Sequence, residues 1–271
     1  MLTSSEKKRL RQFLTDDDAN HDITSAITPI QPAVARIKAE QSCTLAGMEE
    51  AAFLFRSVGL KATCTASDGQ RIQPGNVMEI RGQNRKILSV ERTALNVLGR
   101  MSGVATLCRH AQKIAGSVRI ALTRKTIPGF NAFDKKAARL AGGWPHRKTL
   151  SEAVLIKENH LAFFNSVEDA VLAGKKTGKF CEIEVQNKDQ ALHAQKAGPD
   201  MILLDNFKPT GAKKTVQTIR KANPGVKIEL SGGINLKNLR KYSQAKPDFI
   251  SLGLLTRNAQ TIDFSLDLFK A

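Results

Sequence analysis

The chain has 271 residues, 41% hydrophobic and 25% charged, enough for one large α/β domain or two modest ones without disulfides or a metal to hold the core. Its 42 Lys and Arg against 25 Asp and Glu give a formal charge of +17, a field that attracts nucleic acid, acidic membrane surface and phosphorylated metabolites alike. Only 5% of residues are aromatic, with one Trp and one Tyr, so stacking platforms for single-stranded nucleic acid are poorly supplied, and no nucleic-acid motif is present.

The chain opens with Ser4-Ser5-Glu6-Lys7-Lys8-Arg9, which lacks the apolar core of an export signal, and no apolar run approaches the length of a bilayer span. A cytoplasmic protein is expected. Ser4 or Ser5 can cap a helix through Leu14 that Asp16, Asp17 and Asp18 then stop. Ala33, Ala35, Ile37 and Ala39 alternate with Val34, Arg36, Lys38 and Glu40, which is strand periodicity, and 47–58 follows as an amphipathic helix. Strands are predicted near 61–67 and 76–81, around the turn residues Asp68, Gly69, Pro74 and Gly75. A long helical pattern over 87–116, interrupted near Ser102 and Gly103, then connects an amino-terminal α+β domain (1–105) to a second domain (106–271). The four cysteines, Cys43, Cys64, Cys108 and Cys181, form no CxxC pair and are expected as buried small hydrophobes.

Beyond the long helix the texture is repetitive: a short apolar run, a polar residue at its end, a loop, a helix. That is βα alternation. Runs at 120–122, 154–156, 183–185, 201–204, 228–230 and 249–252 lead to or enclose Arg124 and Lys125, Lys157, Glu184, Asp205, Ser231 with Gly232 and Gly233, and Gly253. A complete eight-fold barrel takes ~250 residues; fewer remain here, so an irregular, incomplete α/β barrel of six or seven parallel strands is predicted. In parallel α/β folds the carboxyl ends of the strands face the ligand loops. Five charged residues at strand ends therefore suggest one site, although charges also mark where any strand leaves the core.

Each group has a chemical and a plain reading. Ser231-Gly232-Gly233, with Asn235 as a cap for the next helix, and Ser251-Leu252-Gly253 suit a phosphate cradle; a tight turn is the alternative. Glu184 and Asp205 could hold Mg²⁺ together with substrate phosphates, or Glu184 could merely alternate with Glu182 on an exposed face. Arg124, Lys125 and Arg147 suit a small acid with more than one carboxylate; solvated surface is the alternative. Trp144 is read as packing, and His160 and His193 are given no chemistry.

At these residues the chain resembles the quinolinate phosphoribosyltransferase family, the nicotinate-nucleotide pyrophosphorylases (carboxylating) of NAD biosynthesis. The resemblance runs through Glu91-Arg92-Thr93-Ala94-Leu95-Asn96, Thr123-Arg124-Lys125-Thr126, Gly142-Gly143 to His146-Arg147, Ile156-Lys157-Glu158-Asn159-His160, Glu182-Ile183-Glu184-Val185, Leu204-Asp205-Asn206, Ser231-Gly232-Gly233-Ile234 and Ser251-Leu252-Gly253. It implies an amino-terminal α/β sandwich, an incomplete barrel whose last residues can pack back on the first domain, and a homodimer with shared active sites, higher assembly being left open. By position it makes Arg92 the residue donated by the neighbouring subunit. Arg124, Lys125 and Arg147 would grip quinolinate; His146, Lys157, Ser231, Gly232 and Gly253 would surround phosphoribosyl pyrophosphate; Glu184 and Asp205 would face the ribose and Mg²⁺. Lys125, Lys157, Glu184 and Asp205 are the expected catalytic residues. His21 and Pro145 depart from the family's usual Gly and Asn. Trp144-Pro145 with Leu150-Ser151-Glu152 leans toward a related branch of molybdenum transport operons with a different substrate. A non-catalytic polyanion-binding or RNA-binding barrel is the reading from another class; nucleic acid is not the expected partner.

Overall fold

The computed structural model describes residues 1–271. The chain divides into two compact units, one built from Met1–Arg109, Thr126–Gly142 and Asn258–Ala271, the other from His110–Lys125 and Gly143–Arg257. No helix is long and apolar enough to cross a membrane.

In the first unit, α1 (Ser4–Asp16) is capped by Thr3 instead of Ser4 or Ser5. The Thr3 hydroxyl accepts the Glu6 amide, and the Glu6 carboxylate accepts the Thr3 amide at 2.7 Å, so two otherwise unpaired amides are satisfied reciprocally. After left-handed Asp18 and a 3-10 turn at Ala19–His21, the Asp22 carboxylate caps α2 (Ile23–Ile27). The strand β1 (Pro32–Ala39) buries Ala33, Ala35, Ile37 and Ala39, the alternation seen in the sequence. The short strand β2 (Cys43–Thr44), the helix α3 (Met48–Ser57), and the strands β3 (Lys61–Cys64), β4 (Arg71–Ile72) and β5 (Gly75–Gln83) follow. Of the cysteines, Cys43, Cys108 and Cys181 are buried; Cys64 is exposed.

The helix α4 (Asn84–Ala115) runs through Ser102 and Gly103 without interruption. The small residues serve close packing within the first unit. A Cβ on Gly103 would lie 2.1 Å from the carbonyl oxygen of Gln260, and one on Gly99 would lie 2.6 Å from that of Ile262. The Ser102 hydroxyl exchanges two hydrogen bonds of 3.1 Å with the backbone of Ala46. A glycine inside a helix weakens it locally, but here it admits another backbone, a long-range requirement that local periodicity does not carry.

The second unit takes the end of α4 from His110 onward and its first strand is β6 (Arg119–Ala121); α5 (Asn131–Leu140) belongs to the first unit. Then come β7 (Val154–Ile156), α6 (Glu158–Leu161), α7 (Val167–Lys175), β8 (Cys181–Val185), α8 (Lys188–Ala197), β9 (Met201–Asp205), α9 (Pro209–Ala222), β10 (Lys227–Ser231), α10 (Leu239–Ser243), β11 (Phe249–Ser251) and α11 (Leu254–Arg257). Six strands pair in parallel in the order β6-β11-β10-β9-β8-β7, so the sheet is open between β6 and β7, an incomplete barrel. Trp144 adds one parallel bridge beside Ala121 on the β6 edge. All five residues of β8 are buried, as expected where both faces of a parallel sheet are covered. The final strand, β12 (Phe264–Lys270), pairs antiparallel with β1 and completes the first unit's sheet, β12-β1-β5-β3.

Candidate active site

Because side chains alternate along a strand, Glu182 and Glu184 of β8 share a face, as do Leu203 and Asp205 of β9 and Glu229 and Ser231 of β10. That face opens at the carboxyl ends of the strands into a cavity of about 550 Å³. Eight of the predicted residues line it: Arg124, Lys125, His146, Arg147, Lys157, Glu184, Asp205 and Ser231. The cations come from the loops after β6 and β7 and from 146–147, whereas the acids come from β8, β9 and β10, together with Glu158 beside Lys157 at the start of α6. The cavity thus has a cationic side and an acidic side.

The cationic loops are held by specific bonds. The Thr256 hydroxyl donates to the Lys125 carbonyl at 2.7 Å, and the Lys125 amide donates to the Thr123 hydroxyl at 3.2 Å. Arg147 is half-buried and donates from Nη1 to the Ala153 carbonyl at 3.0 Å. Burial and the adjacent Arg124 charge lower its pKa, while Glu182 opposes them. An arginine so placed is incompletely neutralised by the protein and favours an anion beside it. Lys157, at the end of β7, forms a short ion pair with Glu184. Burial raises the Glu184 pKa and that pairing opposes the rise. His160 is structural: its Nδ1 accepts the Lys157 amide at 3.0 Å, at the start of α6.

Glu182 and Glu229 belong to this site and were not singled out by the sequence. Glu184 and Glu182 do not lie on an exposed face: they are 7% and 1% accessible, and Glu229 is 1% accessible. Burial pushes both Glu182 and Glu229 up to about 8. His146 Nε2 lies 2.9 Å from Glu182 Oε2 and 3.6 Å from Glu229 Oε2, and its Nδ1 accepts the Arg147 amide at 2.7 Å. The only sequence signal was period-2 alternation in Cys181-Glu182-Ile183-Glu184-Val185, which a solvent face and a polar barrel interior produce equally well.

The late loops are built more tightly than a turn requires. Ser231 and Ser251 line the cavity, and Gly232 and Gly253 stand just beyond lining residues. Gly232 has φ +88°, and a Cβ there would meet Asn206 Oδ1 at 2.3 Å, so only glycine fits both the backbone and its neighbour. Asn235 caps no helix: its Oδ1 accepts the amides of Lys237 and Asn238 in a turn, and α10 starts only at Leu239. Arg92 does not line this cavity. It is exposed on α4, beside a separate hollow lined by Asp17, Asp18, His21, Asp22 and Ser89. Trp144 packs, with its ring 4.2 Å from Phe249 and 4.6 Å from His146.

Comparison with known proteins follows the same lines. Residues 22–102 match the family model for the quinolinate phosphoribosyl transferase N-terminal domain, and residues 104–267 match that for the C-terminal domain. The chain is 35% identical over 265 residues to the nicotinate-nucleotide pyrophosphorylase (carboxylating) of Rattus norvegicus, covering 95% of this chain and 89% of that one. It is 33% identical over 255 residues to the enzyme of the same name from Mycobacterium leprae, covering 91% and 86%. Among solved structures, the nicotinate-nucleotide pyrophosphorylase of Francisella tularensis superposes with a TM-score of 0.93 at 32% identity, over 99% of this chain and 98% of that one.

Proposed function

The chain belongs to the quinolinate phosphoribosyltransferase family, and we propose that the cavity at the carboxyl ends of β6–β11 is where it carries out that family's reaction. The chain catalyses the conversion of quinolinate and phosphoribosyl pyrophosphate to nicotinate mononucleotide, pyrophosphate and carbon dioxide, a step of NAD biosynthesis. The pyridine nitrogen bonds to C1 of the ribose as the bond from C1 to pyrophosphate breaks. The bond from C2 to its carboxylate then breaks, carbon dioxide leaves, and the electron pair left on C2 takes a proton.

The observation that carries the assignment is the division of one cavity into cationic and acidic sides. Arg124, Lys125 and Arg147 hold the two carboxylates of quinolinate and orient the ring nitrogen toward the acidic side. Glu184 and Asp205 face the ribose, where departure of pyrophosphate leaves positive character on C1 that preorganised carboxylates stabilise. Lys157, between the two sides, balances the leaving group's negative charge. Ser231 and the backbone at Gly232 and Gly253 receive the phosphates.

The donors also suit Mg²⁺, which takes one or two carboxylates together with substrate phosphates. Asp205 and Glu184 would supply hard oxygen ligands at the cavity wall; Glu184 is ion-paired with Lys157, whereas Asp205 accepts only a neutral amide hydrogen bond from Asn206, so Asp205 would be the principal ligand. When bound, the ion would neutralise charge on the departing pyrophosphate. Titrating Mg²⁺ with Asp205→Asn should show half-maximal rate at a several-fold higher concentration; an unchanged titration would exclude Asp205.

Arg92, exposed on α4, completes the cavity of a second subunit in a homodimer. Mixing inactive Arg92→Ala and Lys157→Ala subunits should recover activity, because mixed dimers then contain one intact site; no recovery would reject sharing. For the cavity itself, Arg147→Ala should raise the KM for quinolinate by about 30- to several thousand-fold, the equivalent of about 2–5 kcal/mol for truncating one partner of a buried charge pair. A wild-type KM would remove the assignment.

A further inference from the structure

His146 and Glu229, which line the cavity, form with Glu182 a cluster whose side-chain donor atoms lie within 4.8 Å of one another. Its composition suggests a metal site, but the imidazole does not permit one. Nδ1 accepts the Arg147 amide at 2.7 Å, so it carries no hydrogen, and the ring's remaining hydrogen sits on Nε2. A cation on Nε2 would require the ring to lose that last proton. With the hydrogen in place, Nε2 donates to Glu182 Oε2 at 2.9 Å, and both ring nitrogens are engaged within the protein.

The ring is therefore a fixed strut. Trp144 lies against it with ring centroids 4.6 Å apart. Trp144 is itself tied to the β6 edge: its amide donates to the Ile120 carbonyl at 2.7 Å, and its carbonyl accepts the Leu122 amide at 3.0 Å. His146 has φ +54°, a left-handed conformation uncommon for a residue other than glycine, which surrounding structure must hold. That turn sets where Arg147 enters the cavity. Two deeply buried acids are a costly way to fill a barrel interior, since Glu182 Oε1 and Glu229 Oε2 have no hydrogen-bond partner and apolar side chains would pack there at less expense.

We propose that Glu182 is a positioning residue for the diacid. It anchors Nε2–H of His146, and the anchored ring, through Nδ1, fixes the left-handed turn from which Arg147 reaches the substrate carboxylates. Glu229, whose Oε2 lies 3.6 Å from Nε2, helps confine the ring to that orientation. The inference rests on the assignment of Arg147 to quinolinate given above.

The test uses the full-length enzyme with Glu182→Leu, Glu182→Gln and His146→Asn, each assayed for the separate KM values of quinolinate and phosphoribosyl pyrophosphate. Glu182→Leu removes the acceptor and should raise the quinolinate KM on the order of 10- to 100-fold, the scale set by about 1 Å of misplacement, with the phosphoribosyl pyrophosphate KM within about 3-fold of wild type. Glu182→Gln keeps an acceptor oxygen and should recover most of the loss. His146→Asn tolerates the left-handed backbone but lacks the reach to Glu182, and should raise the quinolinate KM as the Leu variant does; because His146 itself lines the cavity, the selectivity between the two KM values is read from the Glu182 variants. Nitrogen NMR of the histidine-labelled enzyme should show His146 in the Nε2–H form in wild type and Glu182→Gln, and a mixture of ring forms in Glu182→Leu. A wild-type quinolinate KM in Glu182→Leu, an equal rise in both KM values, or a wild-type His146 without the Nε2–H form would overturn the proposal. Failure of the Arg147 assignment would be visible separately, as an Arg147→Ala enzyme with an undisturbed quinolinate KM.

Discussion

Replacing Gly103 by alanine should destabilise the protein, although alanine is the better helix former. In an isolated helix the change would gain about 1 kcal/mol. Here the new Cβ would lie 2.1 Å from the Gln260 carbonyl oxygen and 3.1 Å from its carbonyl carbon, a deep overlap between two backbones with no flexible side chain to yield. Overpacking costs about 1–3 kcal/mol where side chains can adjust, and with backbone on both sides the upper end applies, so a net loss of about 1–3 kcal/mol is expected. Urea denaturation should show a lower midpoint at unchanged slope, and thermal unfolding a drop of several degrees. Gly211→Ala is the internal control. Gly211 also lies in a helix, α9, but nothing stands within 4 Å of its added Cβ, so it should gain a few tenths to about 1 kcal/mol. A Gly103→Ala protein as stable as Gly211→Ala would refute the close-packing account of α4.

Three further outcomes follow from the structure. Arg100 donates two hydrogen bonds, of 3.1 and 3.0 Å, to Asp134, which is 0% accessible; Arg100→Ala removes both donors from a buried carboxylate and leaves Lys135 as its nearby cation, and should cost roughly 3–5 kcal/mol in urea denaturation. The folded pKa of Glu229 lies above its ordinary value, at about 8, so between about pH 4.5 and 8 the unfolded chain releases a proton that the folded chain retains, and stability falls as pH rises through that window. Glu229→Gln should flatten the fall without abolishing it, since Glu182 is raised in the same window; an identical pH dependence of stability for the two proteins from pH 5 to 9 would contradict it. Thr256→Val should loosen the Lys125 loop by removing the 2.7 Å bond to its carbonyl, costing about 1 kcal/mol of stability and raising the quinolinate KM, read from denaturation and steady-state kinetics.

The site was legible in sequence where a local pattern and a fold rule coincide. Apolar runs that lead to Lys157, Asp205 and Ser231, or enclose Glu184, recur at βα spacing, and parallel strands bring their ends together; the cavity contains all four. Glu182 and Glu229 escaped because alternation does not distinguish a polar barrel interior from solvent. Gly103 and Ser102 were misread for a related reason: their partners, Gln260 and Ala46, are remote in sequence, so only a break signal remained locally. Asn235 has cap chemistry and uses it, but on a turn and not on the helix that starts at Leu239. Pairing of β12 with β1 across more than two hundred residues left no local trace at all.

The most direct test of the two-sided cavity is a crystal structure of the protein with quinolinate and a non-hydrolysable phosphoribosyl pyrophosphate analogue. The ring carboxylates should lie against Arg124, Lys125 and Arg147, with the ribose C1 toward Glu184 and Asp205. Quinolinate bound away from those cations, or a ribose turned from both carboxylates, would contradict the account.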